Sequence, residues 1–294
     1  MKPAGPTSIS RRALLGGAVG AALALPRIAS AQEALPPVLY VSHGSPIFLP
    51  GNETRRGELA AWGARLTRPR GIVVMTPHYG ARRLEIGRIG TGVAFYDLPL
   101  RFRSLLPKDL TYATPPNDDL ARHVEEVLGG PQHVARGERA GFDHTTWMPL
   151  ACLFPQANAP VLEVAYPYVS ERDLFALGSK LAPLRREGVL FVASGQVTHN
   201  LAMPFGETAP PPWAREFDGW AAETVTARDV DALVDWRAKA PAVDLAHPDD
   251  GGHYRVLLAA LGVALGGPQT ARTTTFPVTG FEATMSKRCI EMAA

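Results

Sequence analysis

Short apolar runs alternate with amphipathic segments along most of the chain. Runs of four or five residues that are rich in valine, isoleucine and leucine are typical of strands buried on both faces. Four such runs predict strands at residues 38–41, 71–75, 161–165 and 189–193, and a weaker run predicts a last strand at 273–278.

The segments between these runs place apolar residues at helical spacing. Within residues 54–66, Leu59, Trp62 and Leu66 fall on one helical face. Similar reasoning predicts helices at residues 117–128, 170–184, 213–226, 230–238 and 254–261, with Asn117 and Ser170 as N-caps and Gly262 as the final stop. Strands separated by helices predict an α/β fold: a single layered domain with a central, mostly parallel or mixed sheet flanked by helices.

The first 31 residues differ in composition from the rest. Arg11 and Arg12 precede an apolar run that ends at Leu25, which is too short to span a bilayer, and small residues follow at 29–31. These features are typical of a twin-arginine export signal. We therefore expect residues 1–31 to be a signal peptide, residues 32–294 to be the mature domain, and the mature protein to be periplasmic without stable membrane association. An uncleaved N-terminal anchor is the alternative.

The charge of the mature segment argues against nucleic acid as a partner. The whole chain has a formal net charge of +2. Residues 1–31 hold four cations and no acids, so residues 32–294 have a formal net charge of −2. That segment has no basic excess that would attract a polyanion.

The chain has two cysteines, Cys152 and Cys289. In an oxidising compartment they could form a disulfide. The apolar neighbours of Cys152 instead favour a buried free thiol.

Five of the eight histidines lie in short motifs that suggest chemistry. These motifs are Ser-His-Gly-Ser-Pro at His43, Thr-Pro-His-Tyr at His78, Gly-Phe-Asp-His-Thr-Thr-Trp at His144, Ser-Gly-Gln-Val-Thr-His-Asn-Leu at His199 and Gly-Gly-His-Tyr at His253. Neutral imidazole binds transition metals, and imidazole also transfers protons near neutral pH. Three of the five follow predicted strands, and ligands of α/β sheets collect at the carboxyl ends of strands. We therefore expect one metal-centred site, as in an enzyme.

Residues beside these histidines suggest how the site is built. Gly44 and Gly195 would let the backbone pack closely around a metal or substrate. Asp143 could orient the ring of His144, and Trp147 could form a wall for an aromatic substrate.

The other three histidines have less informative surroundings. His123 and His133 lie in polar segments and are expected at the surface. His247 lies close enough to His253 in sequence to support the site from behind.

Four motifs together resemble those of the class III extradiol ring-cleavage dioxygenases, and they lie closest to the 4,5-DOPA dioxygenase branch of the LigB superfamily. They are Ser-His-Gly-Ser-Pro, Gly-Phe-Asp-His-Thr-Thr-Trp-Met-Pro-Leu, Ser-Gly-Gln-Val-Thr-His-Asn-Leu and Ala-His-Pro-Asp-Asp-Gly-Gly-His-Tyr. They occur in the family's order over nearly all of the mature chain. The chain departs from the family's pattern at Gly252, where an acidic residue commonly precedes the last histidine.

The resemblance implies that residues 32–294 form a catalytic domain that inserts O2 into a catechol-type ring, DOPA-like or related, to give a muconic semialdehyde. It implies that His43, His78 and His253 are metal ligands and that His199 is either a fourth ligand or an acid–base histidine. His144 would be a second acid–base or substrate-contacting histidine. The implied metal is Fe(II) for turnover, and Zn(II) can occupy the same site. A small catechol and O2 are therefore the expected partners.

Two other functions stay open at this point. A zinc hydrolase would need a carboxylate base such as Asp143 or Glu163, but the chain has no His-Glu-x-x-His motif. A non-catalytic metal-binding member of the same fold would be consistent with Gly252 and with export. A carboxylated substrate would require an arginine or a helix N-terminus that faces the site, and the sequence offers Arg82, Arg83, Arg101 and Arg255 without choosing among them. The sequence does not determine the oligomeric state.

Overall fold

A six-stranded mixed sheet forms the centre of the computed structural model, which describes residues 35–202, 209–267 and 270–294. The predicted signal segment, residues 1–31, therefore lies outside the described residues. The sheet strands are β1 (Val38–Ser42), β2 (Gly71–Met75), β3 (Val161–Glu163), β4 (Val189–Gly195), β5 (Thr273–Thr275) and β6 (Ile290–Ala293). Their order across the sheet is β5-β6-β1-β4-β2-β3.

The four apolar runs form the parallel part of this sheet. β1 pairs with β4, β4 with β2, and β2 with β3, all in parallel, whereas β6 and β5 add an antiparallel edge next to β1. Every residue of β1, β2, β3 and β4 is buried, as the continuous apolar pattern predicts for strands covered on both faces. The prediction of an α/β fold with a central mixed sheet is confirmed.

Ten α-helices surround the sheet among the described residues. They are α1 (Glu53–Gly63), α2 (Leu100–Arg103), α3 (Asp118–Val127), α4 (His144–Leu153), α5 (Glu171–Leu181), α6 (Pro212–Ala227), α7 (Val230–Val234), α8 (Trp236–Lys239), α9 (Val243–Ala246) and α10 (Gly252–Leu265). A 3-10 helix, Ala182–Glu187, continues α5. Two-stranded ribbons pair Gly80–Ala81 with Tyr166–Pro167, Glu85–Ile86 with Ala135–Arg136, Thr91–Val93 with Ala113–Pro116, and Phe281–Glu282 with Met285–Ser286.

Alternate residues of the strands supply two apolar cores, one on each face of the sheet. Tyr40 and Val73 pack into the core that contains α5 and α10. Leu39 and Val74 pack into the opposite core, which contains residues of α1 and α4. The sheet is therefore a buried layer, and only its ends and edges can carry a site.

Helix α4 was not predicted from the sequence. It has Pro149 inside it and is buried on nearly all sides, so its apolar residues show no helical period. Asp143 nevertheless caps it, because its carboxylate accepts a hydrogen bond from the backbone N–H of Thr145 at 2.9 Å.

Two predicted helix-end residues have other roles. Gly262 was predicted to stop the last helix, but α10 continues to Leu265, and a side chain at position 262 would collide with the backbone of Phe175 in α5. Asn117 does precede α3, but its side chain bonds to Gly90 and Val161 instead of capping the helix. Both residues therefore contact elements that are distant in the sequence and do not cap or stop a helix as predicted.

Cys152 and Cys289 are both buried free thiols, as the apolar context of Cys152 suggested. Burial raises the pKa of each thiol to about 11. Among the described residues, no helix has the length and apolar character needed to cross a membrane.

Candidate metal centre

The carboxyl ends of the parallel strands bring three distant histidines to one place. His43 directly follows β1, and its backbone N–H donates to the carbonyl oxygen of Gly195 at the end of β4 at 3.0 Å. His78 lies three residues beyond β2. His253 is the second residue of α10, which begins beside the end of β4.

Gly195 makes this approach possible. A Cβ atom there would collide with the carbonyl oxygen of His253. The sequence suggested a close approach of the backbone to a metal or substrate, whereas the structure shows close packing between the end of β4 and the start of α10.

His43, His78 and His253 form a nearly equilateral triangle of imidazoles, called the histidine triad below. Their ring centroids are 5.2 to 5.4 Å apart, and one ring nitrogen from each lies within 4.8 Å of the others. The Nε2 atoms of His78 and His253 are 3.3 Å apart. Two nitrogens bound to one metal ion at about 2.1 Å are separated by about 3.0 to 3.4 Å, so this spacing fits a shared ion.

The surroundings of the triad keep its imidazoles in the form that binds metals. Burial lowers the pKa of His43 and of His253 well below the ordinary value, and the neighbouring histidines lower each further. His78 opens onto a cavity, yet burial lowers its pKa as well. All three rings are therefore neutral at pH 7, and neutral imidazole is a ligand for Fe, Zn and Cu.

His43 is oriented by a hydrogen-bonded chain behind it. Its Nδ1 lies 3.1 Å from the hydroxyl oxygen of Ser194 in β4, and that hydroxyl donates to the carbonyl oxygen of Thr145 at 2.5 Å. With its proton committed to Thr145, Ser194 accepts from Nδ1, which leaves Nε2 of His43 unprotonated for a metal. The sequence showed no sign of this support.

His199 lies against the triad and has its own carboxylate partner. Its ring stacks on that of His253, with centroids 3.6 Å apart and planes 12° apart. Its Nδ1 lies 3.3 Å from a carboxylate oxygen of Asp249, and this contact holds the pKa of Asp249 well below the ordinary value. Asp249, three residues before Gly252, thus places a carboxylate close to both His199 and His253.

His144 is the first residue of α4 and borders the triad from the other side. Its ring centroid is 5.2 Å from that of His78. The expected orienting carboxylate was Asp143, but the structure corrects this: Asp97 accepts from the backbone N–H of His144 at 2.9 Å and lies 2.7 Å from its Nδ1. Sequence spacing could not reveal this partner, since Asp97 lies 47 residues away.

Asp143 is committed to a buried ion-pair network. Its carboxylate is 2.7 Å from Arg139 and accepts two hydrogen bonds from Thr145, while Arg139 also contacts Glu163 at 3.2 Å. Burial raises the pKa of Glu163 to about 8, although Arg139 opposes the shift. Both candidate bases for a hydrolase are therefore engaged with Arg139.

A cavity of about 890 Å³ opens in front of the five histidines, all of which line it. Its remaining wall comes mostly from residues 44–55 and from the hairpin that contains Phe281 and Met285. Trp147, expected as an aromatic wall, is instead fully buried in the core against Phe48 and is absent from the lining.

The cavity wall includes a cation that sequence reasoning missed. Arg55 is 3 % exposed and donates to the carbonyl oxygen of Ser42, but its Nε and Nη1 atoms have no hydrogen-bond partner among the described residues. Gly44 lies beside Arg55 and has a left-handed backbone conformation, with φ +62°. A Cβ atom on Gly44 would lie 3.0 Å from the carboxylate of Glu282. The four arginines considered earlier are elsewhere: three are exposed, and Arg255 pairs with Glu171 at 3.2 Å. None of the four lines the cavity.

The remaining histidines lie outside the cavity lining. His123 pairs with Glu187 at 2.8 Å, and His133 is exposed. His247 is buried behind the site, where its Nε2 bonds to the carbonyl oxygen of Val197 at 2.8 Å. Burial lowers the pKa of His247 to about 4, so its ring is neutral.

The α/β fold holds the histidine triad, two further histidines and an adjoining cavity at one end of its mixed sheet. These features define a protein with a candidate metal centre for small-molecule chemistry. Residues 37–285 match the family described as the catalytic LigB subunit of aromatic ring-opening dioxygenase. The chain belongs to this LigB family of extradiol dioxygenases, whose enzymes depend on a metal.

Individual relatives agree with this assignment. The chain is 30% identical over 264 residues to a 4,5-DOPA dioxygenase extradiol of Escherichia coli K12, covering 84% of this chain and 90% of the relative. A 4,5-DOPA dioxygenase extradiol of Beta vulgaris is 28% identical over 238 residues, covering 76% and 85%. A crystal structure of an uncharacterized Escherichia coli K12 protein matches with a TM-score of 0.71 and 28% identity, covering 88% of this chain and all of that one.

Proposed function

We propose that this protein is a non-haem Fe(II) extradiol dioxygenase that cleaves a catechol ring beside its two hydroxyl groups and incorporates O2, giving a muconic semialdehyde. The observation that supports this most strongly is the neutral histidine triad at the edge of a cavity that two further histidines also line. In this proposal His43, His78 and His253 hold the metal. Fe(II) bound there would supply the chemistry that activates O2, which redox-inactive Zn(II) in the same site would not.

His199 is proposed as the base that takes a proton from a catechol hydroxyl. Asp249 engages its Nδ1, so Nε2 is the nitrogen left to accept that proton. A positioned general base contributes about 10²–10⁴-fold to rate. A role for His199 as a fourth metal ligand stays a prediction. Among the described residues three groups could hold a metal ion: His43, His78 and His253; His78, Asp143 and His144; and His199, Asp249 and His253. The first is the group made of histidines alone, and it does not include His199.

His144 is proposed as the second acid–base group. Its position beside His78 and on the cavity wall puts it within reach of a catechol bound at the triad. Its ring would accept the proton of the second catechol hydroxyl and later return that proton to the opened ring.

The cavity also suggests the kind of catechol. A buried guanidinium with unpaired N–H groups is costly unless an anion compensates it. We propose that a carboxylate on the ring substituent supplies that anion at Arg55, so that DOPA-like and other carboxylated catechols are preferred. The names of the relatives, which are 4,5-DOPA dioxygenases, support including DOPA among the candidates.

Oxygen uptake tests this function directly. Protein purified without oxygen and loaded with Fe(II) is given a panel of catechols, including DOPA and the uncharged 4-methylcatechol, with Zn(II)-loaded protein as the control. Ring cleavage requires uptake and a yellow product with iron only. Absence of uptake with every catechol, despite one bound iron per chain, would contradict the proposal and would favour a non-catalytic role.

The cellular location is a separate proposal. The Arg11–Arg12 pair and the apolar run that follows support export of the folded, metal-loaded protein to the periplasm. Replacing both arginines with lysine should leave the protein in the cytoplasmic fraction. An unchanged distribution between fractions would contradict the proposal.

A further inference from the structure

One carboxylate holds both the backbone and the ring of His144. Oδ1 of Asp97 accepts from the backbone N–H at 2.9 Å, and Oδ2 lies 2.7 Å from the ring Nδ1. The first backbone N–H groups of a helix have no partner within the helix, and a negative charge near them is favourable. Asp97 therefore provides a hydrogen-bond acceptor for the first backbone N–H of α4 and restrains the imidazole at the same time.

The segment that carries Asp97 is itself fixed to the start of α4. The backbone N–H of Phe95 donates to the carbonyl oxygen of Phe142 at 2.6 Å. The indole N–H of Trp147 in α4 donates to the carbonyl oxygen of Phe95 at 3.3 Å. These bonds lie on both sides of His144 in sequence. They hold Phe95, two residues before Asp97, against the start of α4.

The neighbouring carboxylate of Asp143 is engaged elsewhere. Asp143 precedes His144, but its oxygens are already bonded to Thr145 and Arg139. An ionised carboxylate accepts hydrogen bonds and cannot donate them, so the nitrogen facing Asp97 must carry a proton. In a neutral imidazole the other nitrogen, Nε2, is then unprotonated.

We propose that Asp97 is a positioning residue for His144, which fixes the Nδ1-protonated tautomer and so makes Nε2 the nitrogen that meets the substrate. Asp97 itself is absent from the cavity lining, so it acts through His144 and not on the substrate. The tautomer assignment stands on the hydrogen bonds alone. Its consequence for turnover rests on the proposed function.

The tautomer is testable without turnover. Histidine labelled with ¹⁵N in the metal-free protein gives distinct shifts for protonated and unprotonated ring nitrogens, and His144→Gln assigns the signals. Wild-type His144 should be protonated at Nδ1, and Asp97→Asn should shift the population toward Nε2 protonation. Protonation of wild-type His144 at Nε2 would overturn the proposal whether or not the protein cleaves catechols.

Kinetics of the Fe(II)-loaded enzyme provide the second test. Asp97→Asn should lower kcat by about 10- to 100-fold, as is usual when a group that orients a catalytic imidazole is lost, with KM little changed. In the His144→Gln background the same substitution should have no further effect, because the two residues act as one unit. An equal loss in both backgrounds would show that Asp97 acts independently of His144.

Two further variants separate positioning from folding. Asp97→Glu keeps the carboxylate and should recover part of the kcat that Asp97→Asn loses. Asp109→Asn changes an exposed aspartate in the same connecting region and should leave kcat and thermal stability unchanged. If Asp97→Glu is as inactive as Asp97→Asn while both unfold at the wild-type temperature, the carboxylate is not the feature that matters.

Discussion

The Nε2 atoms of His78 and His253 lie 3.3 Å apart, although 175 residues separate them in the chain. His78 follows the central strand β2, and His253 is the second residue of α10, which begins beside the end of β4. With His43 they present three neutral nitrogens to one point.

The triad predicts which histidines are needed to retain a metal. His253→Ala should reduce the bound metal from about one equivalent per chain to nearly none after dialysis at micromolar protein, because a site loses a direct ligand. His123→Ala, which removes a surface histidine, is the matched control and should retain the metal. Metal analysis of the purified proteins checks this. Full retention by His253→Ala would remove His253 from the ligand set.

His199 should affect rate more than metal content. His199→Gln removes the proposed base and should lower kcat by about 10²–10⁴-fold while the metal content stays near one per chain. Parallel measurement of iron content and oxygen uptake decides between the two roles. Loss of iron together with activity would instead identify His199 as a fourth ligand.

Arg55 should determine preference for charged substrates. Charge-assisted hydrogen bonds contribute about 1.5–3 kcal/mol, so Arg55→Met should lower kcat/KM for a carboxylated catechol by about 10- to 100-fold. The value for 4-methylcatechol, which has no carboxylate, should change far less. Arg101→Met, at an exposed position outside the cavity lining, is the matched control. Equal losses for both substrates would show that Arg55 supports the fold and not the substrate.

His247 should make the metal-free protein sensitive to acid. Burial lowers its pKa to about 4 in the folded state, below the ordinary value of about 6.5. The unfolded chain therefore binds more protons between these pH values, and the free energy of unfolding falls as pH drops from about 6.5 toward 4. His247 alone contributes on the order of 3 kcal/mol to this loss.

Urea unfolding at several pH values measures that contribution. His247→Gln keeps a donor for the carbonyl oxygen of Val197 but cannot titrate. Over the same pH range, the unfolding free energy of the variant should fall less steeply than that of the wild type. The difference in slope should correspond to at most one proton taken up on unfolding. His43 and His253 should add to the remaining slope, because burial lowers their pKa values too. Identical slopes for the variant and the wild type would refute this account of His247.

The sequence by itself determined five of the six sheet strands, most of the helices and the five histidines of the site, whereas the edge strand β6 was not predicted. Strands buried on both faces need continuous apolar runs, and an exposed helix face needs a helical period, so both can be recognised locally. The histidine motifs could be recognised because each joins a chemical group to the end of a structural element. Helix α4 could not be recognised in this way, because the apolar residues of a helix buried on nearly all sides show no helical period.

Only the tertiary structure decided which partners the histidines have. Asp97 and not Asp143 orients His144, Asp249 stands beside His199, and Ser194 supports His43. The tertiary structure also places Trp147 in the core and not in the expected cavity wall, and it places Arg55 in the cavity lining. These contacts join residues as far as 151 positions apart. The parallel register of β1, β2 and β4 and the packing of α4 and α10 against their ends set such distances, and no local pattern encodes them.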